Sequence, residues 1–181
     1  TAEILQKRIE KVAPGNVNLA QIIVDETSRL NTIVTEFLDF ARPQEPKLKA
    51  CDLVRIVNRA IDFIRPAAEE RNVQVNVRSE AELITRQADE DMLYRAFLNV
   101  LLNAIQSMKD GGLLTIETFV TADGRIKIAF TDTGIGISQE KLGKIFEPFY
   151  TDRSKGTGLG LAIVKNIVEL HGGEISAEST E

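Results

Sequence analysis

A mixed α/β domain preceded by an α-helical hairpin is the architecture this sequence predicts. Two prolines, Pro43 and Pro46 in "ARPQEPKLK", separate two textures. Ahead of them apolar residues recur at helical spacing, and behind them stretches of helical period alternate with stretches of period two. Proline ends helices, so the junction falls near residue 45, giving units 1–45 and 46–181.

The composition is that of an ordinary soluble globular protein, at 43% hydrophobic and 27% charged. A net charge of −5 argues against a nucleic-acid-binding surface as the main function. No apolar run approaches the roughly 18 residues of a membrane span, and the start carries no signal-peptide pattern. Cys51 is the only cysteine, which excludes an internal disulfide, fits a reducing compartment and reads as a small buried or half-buried residue. A single histidine removes most metal-site and histidine-based catalytic readings.

In the first unit, "TAEILQKRIEKV" places Ile4, Leu5, Ile9 and Val12 at helical spacing. "APGN" breaks it, with Asn16 or Asn18 as candidate N-cap of the next helix. That helix, over about residues 17 to 42, carries a seam of Leu19, Ile23, Glu26, Leu30, Ile33, Phe37 and Phe40. Val34, Leu38 and Ala41 widen it, as in a helical bundle. One hairpin offers two helices, so a four-helix bundle requires a second copy of the chain. The alternative is that the hairpin packs on its own globular domain.

In the second unit, "CDLVRIVNRAIDFIRPAAEERN" reads as an amphipathic helix capped by Asp52, "VQVNV" as a strand and "LITRQ" as a further short strand. "DEDMLYRAFLNVLLNAIQSM" is a long helix closed by "KDGG". "LLTIETFV", the turn "ADG" and "RIKIAFTD" form an antiparallel hairpin. A polar stretch with two phenylalanines, a glycine cluster and the helix "LGLAIVKNIVELH" follow, and "EISAES" starts another strand.

Three features of this unit carry chemistry. On the long helix, Leu93, Ala96, Phe97, Val100, Leu101, Ala104 and Met108 share a broad apolar face at about 100° per residue. Between it and Leu98 and Leu102 runs a polar stripe of Arg95, Asn99, Asn103 and Gln106. Near-buried amides need partners, because an unpartnered one costs about 1–3 kcal/mol. Capping of neighbouring loops would meet that need; so would Mg²⁺, a hard ion that accepts amide oxygens, with the phosphates attached to it.

In "RIKIAFTD", Asp132 shares the parity of Ile126, Ile128 and Phe130, which points its carboxylate inward and away from water. A backbone N–H or an arginine could satisfy it, and so could the exocyclic amine of an aromatic base. Adenine offers that amine where guanine offers a carbonyl oxygen. Gly134 and Gly136 let the backbone approach a flat ring.

In "RSKGTGLGLAIVKNIV", Gly156, Gly158 and Gly160 directly precede a helix, an arrangement suited to anions, with Arg153 and Lys155 just upstream. A flexible loop is the plainer alternative. Neither the Rossmann spacing nor a Walker A loop fits: in "LGKIF", Ile145 stands where Ser or Thr is required.

Together, "NVLLNAIQSM", "DTGIGI", "FEPFYT" and "GTGLGLAIVKNIVELHGG" resemble the asparagine, first glycine, phenylalanine and second glycine boxes of sensor histidine kinases. The stretch before them, with its "FLDFARP" exit, is similar to that family's second dimerisation helix, and the N-box is most similar to the nitrogen-regulation type. The resemblance implies an α/β sandwich of the gyrase/histidine-kinase type that binds ATP and Mg²⁺ under a flexible lid, behind a dimerisation hairpin. It implies Asn103 as metal ligand, Asn99 beside the phosphates and Asp132 as adenine reader. Gly134, Gly136 and Ile137 would lie near the base. Arg153, Lys155, Gly156, Thr157, Gly158, Leu159 and Gly160 would lie around the phosphates. Phe146 and Phe149 would pin the lid through apolar contact.

Gyrase-like relatives place a water-activating glutamate four residues before the metal-binding asparagine. Here that position is Asn99, which cannot act as a base, so ATP should be held for transfer rather than hydrolysed. The implied partners are a second copy of the chain and a response regulator receiver domain, in the cytoplasm, with any membrane anchor lying upstream.

The family's acceptor histidine is missing: His171 in "ELHGG" sits at a helix end, where capping and the helix dipole explain it. The chain thus reads as beginning late in the first hairpin helix and ending one strand early. As written it should not phosphorylate itself. A gyrase-like ATPase, an anti-sigma-type serine kinase and a degenerate nucleotide-binding dimerisation module are the competing functions.

Overall fold

The computed structural model describes residues 17–41, 45–152 and 156–180. The chain divides into two units, Thr1–Pro43 and Gln44–Glu181. The first hairpin helix, over Ile4 to Val12, lies outside the described residues.

In the first unit, α1 spans Val17–Ala41. Asn18 falls inside it and is not its cap, and Asn16 lies outside the described residues. Along the seam Leu19, Ile23, Leu30, Val34, Phe37 and Leu38 are exposed, while Ile33 is half-buried.

The second unit runs β1 (Lys49–Asp52), α2 (Leu53–Glu70), β2 (Val73–Ser79), β3 (Thr85–Ala88), α3 (Glu90–Ser107), β4 (Gly112–Val120), β5 (Ile126–Asp132), α4 (Gln139–Leu142) and α5 (Gly160–Leu170). β1 pairs antiparallel with β3. A separate sheet has the order β2-β4-β5, with β2 parallel to β4 and β4 antiparallel to β5. Strand pairs of opposite sense follow from their connections: β4 and β5 are joined by a tight loop, whereas β2 reaches β4 only through α3.

The two long helices α2 and α3 start where the sequence supplies a cap, Asp52 and Asp89. The Asp52 carboxylate accepts from the Val54 N–H at 3.0 Å and from the Ile84 N–H at 3.2 Å, tying the start of α2 to the approach of β3. Pro66 lies within α2 and does not end it. The helix buries Ile56, Ile61 and Ile64 on one face against α3 and β2. From α3 come Met92, Leu93, Ala96, Phe97, Leu101, Ala104 and Ile105, while Val100 is only half-buried. Leu114 and Ile116 of β4 are fully buried beneath the helical layer, and the Phe97 and Phe130 rings sit 5.9 Å apart. Each such side chain contributes roughly 1.5–3 kcal/mol by leaving water. Cys51 is half-buried; burial, then the Glu90 charge, push its thiol pKa up, which disfavours the reactive thiolate.

His171 is the C-cap of α5, and its reach is longer than capping requires. Nδ1 lies 2.7 Å from the Ile167 carbonyl, and Nε2 accepts the Asp89 backbone N–H at 2.9 Å. The ring therefore carries its proton on Nδ1 and staples the end of α5 to the N-cap of α3. Asp89 in turn accepts from the Met92 N–H at 3.1 Å and the Lys47 N–H at 2.8 Å. Partial burial pushes its carboxyl pKa up, but the N–H groups of Met92, Lys47 and Asp91 outweigh this and hold it below its ordinary value. Because the folded pKa is depressed, its stabilisation is complete above about pH 4 and is lost as pH falls through the folded value. Thermal melts should show the parent more stable than Asp89→Asn at neutral pH, with the gap closing in strong acid; a gap independent of pH would contradict this.

"EISAES" does not form a strand: residues 174–179 join no ladder. Alternation supplies strand propensity but no partner; Ile175 is half-buried, and polar contacts lie at both ends of the segment. Glu174 lies 3.8 Å from Arg125, and the Ser179 hydroxyl accepts from the Ile137 N–H at 2.8 Å.

Candidate functional site

One side of α3 organises the site. Asn99 and Asn103 are half-buried rather than near-buried, and they face the start of α5. A Cβ built on Gly160 would lie 3.6 Å from Asn99 Oδ1 and 3.9 Å from Asn103 Nδ2. The His171 staple at the other end of α5 holds these two helices together along their length.

One turn beyond Asn103, at the same spacing of four, is Ser107, which the sequence reading missed. Its hydroxyl lies 2.8 Å from Asp132 Oδ1 and 2.7 Å from the Ala104 carbonyl. A hydroxyl in the last turn of a helix reads as a local cap, so only its place on the asparagine stripe could have marked it.

Asp132 does lie on the helix-facing side of β5, but its carboxylate is exposed, contrary to the expectation that it turns away from water. Period two fixes the side of the sheet and says nothing of depth, and Asp132 is the last residue of its strand. Its Oδ1 accepts from the Ser107 hydroxyl and from the Gly134 N–H at 2.9 Å. Gly134 is required for closeness: a Cβ there would lie 2.0 Å from Ser107 Oγ. Gly136 follows with φ +72°, and Ile135 is 69% exposed, so the turn opens to solvent on its outer side. The Ile137 N–H is already used by Ser179.

The second glycine cluster is anchored from below. Arg153 and Lys155 lie outside the described residues. The Phe149 N–H donates to the Gly158 carbonyl at 2.9 Å, closing the loop between them. Both residues have left-handed backbone, φ +66° at Phe149 and +71° at Gly158. Phe149 was expected to pin the lid by apolar contact; its side chain is instead 58% exposed, and its backbone makes the junction. Phe146 is half-buried.

Gly156 is exposed. The Thr157 hydroxyl accepts from the Leu159 N–H at 3.3 Å, and the Leu159 side chain is fully buried, so it belongs to the core. That leaves the first turn of α5, from Gly160, with no side-chain cap and close to Asn99 and Asn103.

The donor set suits a hard cation with phosphate. No group of three or more His, Cys, Asp and Glu that could hold a metal occurs among the described residues. A divalent ion here would depend on amide oxygen, phosphate oxygen and water, which is what Mg²⁺ accepts. No helix among the described residues is long and apolar enough to cross a membrane.

Comparison with known proteins places the chain in a family. Residues 88–181 match the family described as histidine kinase-, DNA gyrase B-, and HSP90-like ATPase. Sensor histidine kinase ZraS of Escherichia coli (strain K12) is 39% identical over 163 residues, covering 90% of this chain and 35% of that protein. The chain thus spans about a third of the length of this curated relative. The structure of the mycobacterial sensor histidine kinase MprB is similar with a TM-score of 0.63 at 30% identity, covering 69% of this chain and 80% of that one. That of histidine kinase ThkA in complex with response regulator protein TrrA gives 0.73 at 23% identity, covering 95% and 50%, and bears on the fold alone. None of these three names a nitrogen-regulation kinase, and that finer resemblance rests on the N-box. The chain belongs to the histidine kinase-, DNA gyrase B-, and HSP90-like ATPase family, on its sensor histidine kinase side.

Proposed function

We propose that this chain is the ATP-holding catalytic region of a two-component sensor histidine kinase. A histidine nitrogen outside these residues attacks the terminal phosphorus of ATP, the bond to the β–γ bridging oxygen breaks, and ADP leaves. The phosphoryl group then passes to an aspartate on a response regulator. The observation that carries this is the α3 stripe. Asn99, Asn103 and Ser107 recur every four residues, so the phosphate end and the Asp132 end lie about 12 Å apart along the helix. That is the scale of an extended nucleoside triphosphate.

Asp132 receives the adenine amine, with Gly134, Gly136 and Ile137 beside the ring. Asn103 holds Mg²⁺ and Asn99 lies beside the phosphates. The α5 amino terminus, Gly160 and the loop of Gly156, Thr157, Gly158 and Leu159 line the phosphate end, with Arg153 and Lys155 adding charge. Bound Mg²⁺ supplies neutralisation of the phosphate charge. Asn99 has no basic lone pair at neutral pH, so water is not activated and ATP waits for its acceptor. The remaining contribution of the protein is position and charge.

The exposed seam of α1 supports a homodimer through the hairpin, since an apolar stripe of that length needs cover. A receiver domain is the proposed second partner, in keeping with the complex named for ThkA, and the cytoplasm is the proposed compartment.

Extending the chain with the residues encoded ahead of Thr1 and adding radiolabelled ATP with Mg²⁺ tests the proposal. The longer protein should gain acid-labile, alkali-stable phosphate on a histidine, and the 181-residue chain should gain none. Rapid ATP hydrolysis without a phosphoprotein would favour the gyrase-like ATPase instead.

A further inference from the structure

We propose that Ser107 is a positioning residue for base recognition: by occupying Asp132 Oδ1 it leaves Oδ2 as the acceptor presented to the exocyclic amine. This deepens the ATP reading of the site and rests on it.

Two donors meet on one carboxylate oxygen. The Ser107 hydroxyl and the Gly134 N–H reach Oδ1 at 2.8 and 2.9 Å, filling its lone-pair directions, while Oδ2 accepts from no group among the described residues. Ser107 has a single proton and two acceptors within reach, Asp132 Oδ1 and the Ala104 carbonyl. The ionised carboxylate is the stronger acceptor and takes it.

The terminal torsion of an aspartate is broad and roughly two-fold, so a carboxylate held by one donor can turn either oxygen outward at several angles. Held by two donors from different elements, it has one setting. The turn is also fixed to Ser107 through the backbone, because the Ile135 N–H donates to the Ser107 carbonyl at 3.3 Å. Ser107 therefore ties the end of the asparagine helix to the base-reading turn, and its hydroxyl sets which edge of Asp132 meets the ligand.

The test measures binding of ATP and of purine riboside triphosphate, which differs from ATP only in lacking the amine, to the whole chain with Mg²⁺. Loss of one charge-assisted hydrogen bond should weaken ATP binding to Ser107→Ala about five- to tenfold. Binding of the analogue should be unchanged, since it has no amine to misalign, and the melting temperature should stay close to that of the parent. Ser107→Cys, similar in shape but a poor donor, should behave like Ser107→Ala. Equal weakening of both nucleotides would mean that Ser107 is only a packing element and would overturn the proposal. Unchanged ATP binding in Ser107→Ala, with Asp132→Asn still impaired, would overturn it while leaving the base assignment standing. Unchanged ATP binding in both variants would overturn the base assignment as well.

Discussion

Gly158→Ala should lose at least tenfold in ATP affinity while unfolding at nearly the parent temperature. A Cβ at this position would lie 2.5 Å from the Phe149 carbonyl carbon and 2.8 Å from its Cα and oxygen. All three are backbone atoms, so no flexible side chain can yield. The φ of +71° adds the strain of a left-handed alanine, about 1–2 kcal/mol. The cheapest relief is to give up the Phe149–Gly158 hydrogen bond, which opens the base of the loop that lines the phosphate end. Leu159 beside Gly158 belongs to the core, but most of the buried side chains lie on α2, α3, β4 and the body of α5, away from the clash, which is why the melt should barely move. Gly143→Ala is the control, because nothing lies within 4 Å of a Cβ there. Nucleotide titration of both variants checks the pair, and parent-like ATP binding by Gly158→Ala would show that the junction does not shape the site.

Gly134→Ala should damage the base end at least as much. The added Cβ would meet Ser107 Oγ at 2.0 Å, Ser107 Cβ at 2.6 Å and Asp132 Oδ1 at 2.7 Å. The hydroxyl can rotate away, but the Ser107 Cβ is fixed by α3 and the Asp132 carboxylate by its strand. The turn must therefore lift from the helix, taking Asp132 with it. An affinity loss of tenfold or more, equal to about 1.4 kcal/mol, is the expected outcome by titration calorimetry. Adding Ser107→Gly removes the two nearest atoms and should recover part of the binding. No recovery would indicate that the clash with Asp132 alone sets the loss.

The residues that the sequence exposes and those it hides differ for physical reasons. Periodicity near 3.6 makes α3 and its asparagine stripe plain, because the same spacing that buries Leu101 and Ala104 sets Asn99 and Asn103 apart. The hairpin of β4 and β5 follows from alternation around a short turn. Tertiary partners leave no such mark. His171 looks like a local helix cap, and its bond to the Asp89 N–H, 82 residues away in sequence, has no periodic trace. Ser107 is hidden by the same ambiguity. The inward parity of Asp132 is right as to side and wrong as to burial, since a strand end lies beyond the cover of the helices. Phe149 shows a further limit: residue type announces an apolar contact, whereas the feature that matters is a left-handed backbone that few phenylalanines adopt. For "EISAES", propensity is visible but pairing depends on an edge elsewhere in the fold.

Titration of the chain with ATP and with GTP in the presence of Mg²⁺, for the parent and for Asp132→Asn, bears most directly on the assignment of base and phosphate ends. The amide places a donor where the carboxylate had only acceptors, so it faces the adenine amine with the wrong group and the guanine carbonyl with a tolerable one. The parent should bind ATP well ahead of GTP, and Asp132→Asn should lose most of its ATP affinity and most of that preference. ATP binding by Asp132→Asn as tight and as selective as that of the parent would contradict the placement of the base at Asp132.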